Sequence, residues 1–225
     1  VNPMNVLQHD FPENASPYSS ISRLFLNPIY IDVEKVPGYT ANMLIGHEAE
    51  LDKVRKSKDI EYSIVYNIKI KVLHEIFNKW QKNKNSDEYK KLIDFCAEQG
   101  ADLDSVAVYQ VIYSHYRDKA YNGWQDWPDE LQNPHSAAVA KFKSEHEDEV
   151  MFFKFLQYIA FQQLENVYKQ VKESNLQIGL YRDLPVGVNK DSEELWADES
   201  LFVRKCGAGA PPDIFFPTGQ KWCLG

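Results

Sequence analysis

The chain of 225 residues is long enough for one large domain or two small ones with a buried core. Its 44% hydrophobic and 26% charged residues are typical of soluble globular proteins, and its net charge of -8 argues against a nucleic-acid partner. No apolar run reaches the roughly 18 residues of a membrane span. The first residues lack the basic and apolar regions of a signal peptide, so we expect a cytoplasmic protein without a membrane partner.

The first part of the chain, residues 1–41, is predicted to be irregular. Five prolines rule out a long helix there: Pro3, Pro12, Pro17, Pro28 and Pro37. Ser16-Pro17-Tyr18-Ser19 predicts a stiffened loop that presents hydroxyl groups and an aromatic ring. The β-branched and aromatic residues within 27–33 predict a short strand or extended segment.

Residues 42–172 are predicted to be helical. Apolar residues recur every four positions from Ile64 to Trp80, which places them on one face of a helix of about five turns. A second long pattern of the same kind runs from Val150 to Val171. Shorter helices are predicted near 44–57, 86–98, 103–118 and 136–146.

The pattern changes again in residues 173–225. Residues 177–181 form a short apolar run after a long helix, which predicts one strand of an α/β unit. Asp183 would then lie at the carboxyl end of that strand, the functional end in parallel α/β folds. Asp191 or Ser192 is predicted to cap a short helix that follows.

Several side chains could bind a polar ligand with flat faces, such as a sugar, and each also has a simple structural explanation. Asp183 could accept hydrogen bonds from sugar hydroxyls, or it could pair with Arg182 or cap a helix. Asp213 follows two prolines that fix its direction, or it closes an Asx turn. Gln220 and Trp222 could form a sugar subsite, or the tryptophan could cover the core.

Neither the cysteines nor the histidines indicate a metal site. Because there are three cysteines, Cys96, Cys206 and Cys223, at least one is unpaired, and none has the spacing of zinc ligands. The chain also lacks a P-loop, a GxSxG and a GxGxxG sequence. We therefore expect reduced thiols, no cofactor and no metal.

Taken in chain order, the motifs resemble those of the bacterial 4-alpha-glucanotransferases (amylomaltases or disproportionating enzymes) of glycoside hydrolase family 77. Residues 16–19 and 27–32 look like the early barrel loop of that family. Residues 123–128 resemble a Trp-Pro motif in the helical insertion of bacterial members. Residues 179–188 are similar to the third barrel strand, and residues 208–222 to the mobile loop over the acceptor side.

The resemblance implies an α/β fold: about strands 2 and 3 of a (β/α)₈ TIM barrel, with a large α-helical insertion subdomain. Residues 1–41 would carry a strand end and the substrate loop, 42–172 the insertion, and 173–225 a strand and the acceptor-side loop. A barrel that lacks most of its strands has open edges. We therefore expect residues 42–172 to fold alone and the barrel segments to be loosely packed.

The resemblance also implies an enzyme that transfers α-1,4-glucan segments between maltooligosaccharides with retention of configuration. The family's substrate-binding positions fall on Ser16, Tyr18, Asp183, Asp213, Gln220 and Trp222. Its nucleophilic Asp and acid/base Glu are expected beyond Gly225, so the isolated chain is predicted to be inactive. The chain departs from the family pattern at Asn5, Phe216, Cys223 and Gly225.

Two alternatives from other classes remain at this point. The chain could be a non-catalytic helical module that binds carbohydrate or another protein, with loop motifs that are structural. It could also be an acidic helical scaffold without a ligand, which the ordered series of loop motifs favours least.

Overall fold

A computed structural model describes residues 1–117, 123–203 and 206–224, except the side chains of 222–224. The α-helices in these ranges are α1 (Glu48–Lys56), α2 (Tyr62–Lys82), α3 (Asp87–Tyr116), α4 (Asp129–Gln132), α5 (Ala137–Glu145), α6 (Glu147–Glu173) and α7 (Glu193–Ala197). The strands are β1 (Asn5–Val6), β2 (Ser22–Leu26), β3 (Gly207–Ala210) and β4 (Gln220–Leu224). None of the described helices is long and apolar enough to cross a membrane.

The helices predicted within 42–172 are confirmed. α2 and α6 coincide with the two long apolar patterns, and the buried residues of α2 lie mostly on the predicted face. α6 is instead buried on all sides from Phe153 to Ala160, and Val167 of its predicted face is exposed. α3 contains both helices predicted at 86–98 and 103–118, with a bend at Gly100. The φ angle of 60° at Gly100 is a conformation that glycine adopts readily and other residues rarely.

The hydrophobic core lies mainly between α3 and α6, which pack against each other more extensively than any other pair of described helices. Leu103 of α3 and Phe155 of α6 are completely buried there. The same core includes residues from before position 41, among them Ile21, Phe25 and Ile31. The early segment is therefore packed against the helices that follow it, so the expectation of loose packing was wrong for this part of residues 1–41.

The prediction of a strand or extended segment in residues 27–33 was wrong. This segment forms two short 3-10 turns, Pro28–Tyr30 and Val33–Lys35. The side chains of Asn27 and Asp32 accept hydrogen bonds from backbone N–H groups two residues ahead, which ends extended structure at both points. The strand lies immediately before, as β2.

The strand predicted at residues 177–181 is also absent. Ile178 and Tyr181 are 87% and 81% exposed. Two hydrogen bonds flank Arg182: the amino group of Val1 donates to Tyr181 O (2.6 Å), and Asp183 N donates to Val1 O (3.0 Å). These bonds have the pattern of one rung of a parallel ladder. The assigned strands form two antiparallel pairs instead, β1 with β2 and β3 with β4.

The outer edge of β2 is closed by a side chain of α6. Gln157 is completely buried; its Oε1 accepts a hydrogen bond from Leu26 N (2.9 Å) and its Nε2 donates to Leu26 O (2.9 Å). Asn27 N donates to Met4 O on the other side. The amide of Gln157 therefore takes the place of a neighbouring strand, because buried backbone groups need partners.

Gln157→Leu tests this contact, because it removes the amide and leaves two buried backbone groups without partners. Each such group costs about 1–3 kcal/mol, so we expect the free energy of unfolding in urea to fall by at least about 2 kcal/mol. The matched control is Gln163→Leu, since Gln163 makes the same pair of bonds to Asp32 in a partly buried place. Water can replace that amide, and an equal loss in the two variants would contradict the explanation.

Candidate functional site

The structure brings together two predicted site residues that are 165 positions apart, Tyr18 and Asp183. The Tyr18 hydroxyl donates a hydrogen bond to Asp183 Oδ2 (2.8 Å), and Asp183 Oδ1 accepts one from Leu184 N (2.9 Å). Arg182 donates to the hydroxyl of Tyr168 (3.2 Å), so the predicted alternative of an Asp183–Arg182 pair is not what holds Asp183. Tyr18 is 52% exposed, which leaves part of its ring accessible.

The hydrogen bond favours the protonated form of the Tyr18 phenol. The bond to Asp183, followed by the negative charge of that carboxylate, raises the pKa of Tyr18 above its ordinary value. Tyr18 therefore remains a hydrogen-bond donor at neutral pH, and its ring is oriented by a contact at its far end.

Tyr18 lies in a turn that begins at Ser16, another predicted site residue. Ser19 N donates to Ser16 O (3.0 Å), and the side chain of Asn189 donates to Ser19 O (3.3 Å). Next to this turn is a cavity of about 440 Å³, lined in part by Ser16, Ser19, Asn189 and Asp191. The early loop thus borders a space whose walls carry hydroxyl, amide and carboxyl groups.

A second contact between the two loop regions escaped the sequence analysis. The carboxylate of Glu194 accepts hydrogen bonds from Arg23 Nη2 (2.7 Å) and Nε (3.2 Å) and from the backbone N of Arg23 (2.5 Å). Glu194 N donates to Ile21 O (3.3 Å). No motif contains Arg23, and position 194 suggested only a favourable charge in the first turn of a helix capped by Ser192, whose cap is confirmed.

The other predicted site residues lie on the β3–β4 hairpin. Asp213 Oδ1 accepts hydrogen bonds from the N–H groups of Phe215 and Phe216 (2.7 Å each), which is the Asx turn considered above. Gln220 is the first residue of β4, and the side chain of Trp222 lies outside the described residues. The loop tip is apolar, with Ile214 88% exposed.

Comparison with known proteins decides the family. The sequence model of glycoside hydrolase family 77, described as 4-alpha-glucanotransferase, matches residues 1–225. The chain belongs to this family. The 4-alpha-glucanotransferase of Haemophilus influenzae is 27% identical over 239 residues, which cover 100% of this chain and 34% of that protein. That of Mycobacterium tuberculosis is 28% identical over 94% of this chain and 29% of its own length.

Solved structures give the same family 77 fold. The amylomaltase of Streptococcus agalactiae, determined in complex with acarbose, has a TM-score of 0.77 at 21% identity over 99% of this chain. The amylomaltase of Corynebacterium glutamicum has a TM-score of 0.68 at 26% identity. The present chain is thus a helix-rich relative of these TIM-barrel enzymes, and it spans about a third of the length of the curated relatives it matches.

A buried carboxyl group, Glu193, lies beside the Arg23–Glu194 pair. It is 4% exposed and accepts a hydrogen bond from the Ser105 hydroxyl of α3 (2.5 Å). Burial raises the pKa of Glu193 to about 7, the charges of Glu194 and Asp102 act in the same direction, and the bond from Ser105 opposes them. In this family 77 chain the group therefore titrates close to neutral pH.

The raised pKa of Glu193 predicts that its contribution to stability decreases as pH rises. The folded state holds this proton up to about pH 7, whereas the unfolded chain releases it near 4.5, so the contribution present below 4.5 is lost on passing through 7. As the pH rises from about 5 to about 8.5, the free energy of unfolding of Glu193→Gln should therefore increase relative to that of the wild type, by up to roughly 3 kcal/mol. Urea unfolding at both pH values measures the difference. Glu173→Gln, at an exposed carboxyl, is the control, and a constant difference for Glu193→Gln would refute the prediction.

Proposed function

We propose that residues 1–225 form part of the glucan-binding site of a 4-alpha-glucanotransferase, an enzyme that transfers α-1,4-glucan segments between maltooligosaccharides. The observation that carries the proposal is the hydrogen bond between Tyr18 and Asp183. It joins two loops, and the family resemblance implies a substrate contact in each of them. The family match over the whole chain supports the same activity.

The chemistry of these groups suits a glucose unit. The partly exposed ring of Tyr18 can stack on the flat apolar face of a sugar. Each carboxylate oxygen of Asp183 can accept more than one hydrogen bond, so the bonds from Tyr18 and Leu184 leave capacity for sugar hydroxyls. Ser16, at the start of the same turn, supplies a hydroxyl that can donate or accept.

In this proposal the β3–β4 hairpin serves the acceptor side. Gln220 and Trp222 would contact the acceptor sugar through an amide and an indole, as the resemblance implies. The Asx turn of Asp213 would shape the loop as well as present its carboxyl group. The exposed Ile214 and Phe215 would add apolar contact area beside the sugar.

The proposed reaction is a double displacement with retention. A carboxylate attacks the anomeric carbon while a carboxylic acid about 5 Å away protonates the leaving oxygen, and a sugar 4-hydroxyl then resolves the glycosyl-enzyme. We assign both catalytic groups to parts of the enzyme other than residues 1–225. Residues 1–41 and 173–225 would contribute to the barrel, and residues 42–172 would form the insertion.

The binding role is tested by titrating this chain with maltotriose and maltoheptaose in a calorimeter. Asp183→Asn should weaken binding about 10-fold or more, because it removes a charged acceptor worth about 1.5–3 kcal/mol. Tyr18→Ala should weaken binding more than Tyr18→Phe, which keeps the ring. Tyr30→Phe is the matched control, since Tyr30 is similarly exposed. Unchanged affinity in Asp183→Asn would remove the proposal's basis.

The catalytic role requires a longer form that contains this chain. We expect that form to convert maltotriose into glucose and longer glucans, and the 225-residue chain to bind without turnover. Binding without turnover in every form would favour the alternative of a non-catalytic carbohydrate-binding module. Chromatography of the products distinguishes these outcomes.

A further inference from the structure

We infer that Arg23 and Glu194 are positioning residues that hold Tyr18 and Asp183 at hydrogen-bond distance. The inference rests on the proposed function of that pair as a glucan-binding site. Neither Arg23 nor Glu194 is assigned a sugar contact; each acts through the loops that it joins.

Glu194 is bonded to β2 through its side chain and to the residue before β2 through its backbone. Its N–H donates to Ile21 O, and its carboxylate accepts from Arg23 N. These two bonds flank Ser22, as the bonds of a neighbouring strand would. The start of α7 is thereby attached to the segment that follows the Tyr18 turn.

The guanidinium of Arg23 contacts both ends of residues 186–194, the stretch of chain that follows Asp183. Its Nη2 and Nε donate to the carboxylate of Glu194, and its Nη1 donates to Val186 O (3.4 Å). The planar guanidinium therefore links Val186, three residues after Asp183, to α7. Arg23 itself lies five positions after Tyr18.

The Arg23–Glu194 ion pair is partly buried and joins distant parts of the chain. The side chains of Arg23 and Glu194 are 30% and 16% exposed, so water and salt screen them less than a surface pair. They are 171 positions apart. Pairs such as Lys169–Glu165, in contrast, lie within one helix and cannot align two loops.

The inference is tested by NMR of the chain labelled with ¹³C at the tyrosine Cζ atoms, with Tyr18 assigned by Tyr18→Phe. The Cζ shift at neutral pH reports the hydrogen bond of the Tyr18 phenol, and Asp183→Ala, which removes the acceptor, defines the shift without it. We expect Glu194→Gln and Arg23→Gln to move the signal at least half of the way to that value. The Tyr18 signal of Arg23→Lys should lie between those of these variants and that of the wild type, because lysine keeps the positive charge and lacks the planar guanidinium. Maltotriose affinity should fall about 5-fold or more in Glu194→Gln.

The control for a general loss of stability is Asp104→Asn. Asp104 pairs with Lys143 and Lys154, and so joins α3, α5 and α6 without contacting either loop. Its removal should lower the free energy of unfolding and leave the Tyr18 signal unchanged. A wild-type Tyr18 signal in Glu194→Gln, or an equal change in Asp104→Asn, would overturn the inference.

A variant that fails to fold and a wild type that fails to bind maltotriose each have a defined interpretation. If Glu194→Gln does not fold, Arg23→Lys carries the same comparison, and an unchanged Tyr18 signal in it would overturn the inference. If the wild-type chain does not bind maltotriose, the proposed function fails, whereas the Tyr18 signal still decides whether Arg23 and Glu194 position the pair.

Discussion

The hydrogen bonds of strand β2 are the constraint on which the rest of this structure depends. Its partner β1 contains two residues, too few to satisfy a strand of five. Further backbone groups of β2 and its neighbours are bonded by Gln157 at Leu26 and by Glu194 beside Ser22. An unpaired buried backbone group costs about 1–3 kcal/mol, so these contacts favour the positions that the adjoining loops adopt.

The helical part of the chain, residues 42–172, is hydrogen-bonded to the segment 189–196. The Tyr109 hydroxyl donates to Asp191 O, the Gln125 amide to Lys190 O (2.6 Å), and Trp196 Nε1 to Leu131 O (2.9 Å). Tyr109, Gln125 and Leu131, the partners of the segment, come from three different parts of residues 42–172. Because the segment is attached to the helices and to β2 at once, the loop that carries Asp183 has a defined position relative to the Tyr18 turn.

The two neighbouring carboxyl groups of α7, Glu193 and Glu194, have different electrostatic surroundings. Arg23 compensates the carboxylate of Glu194, whereas the neighbouring Glu193 is buried and bonded to a neutral hydroxyl. A buried carboxyl group without a cation is destabilising in its charged form, which is why the pKa of Glu193 is raised. Two adjacent acidic residues in one short helix therefore have different surroundings, because Glu194 faces a guanidinium and Glu193 faces the interior.

The sequence by itself determined the helices and the family. Apolar residues at a helical period gave α2 and α6, and Ser192 was expected as a cap, because these features depend on local spacing. The motifs around Tyr18, Asp183 and Asp213 indicated family 77 for the same reason. Only the tertiary structure decided that residues 27–33 turn, that 177–181 form no strand, and that Glu194 pairs with Arg23. Strand pairing and ion pairs between distant segments depend on which groups meet in space, and no local pattern at Arg23 or Gln157 specifies a partner more than 100 positions away.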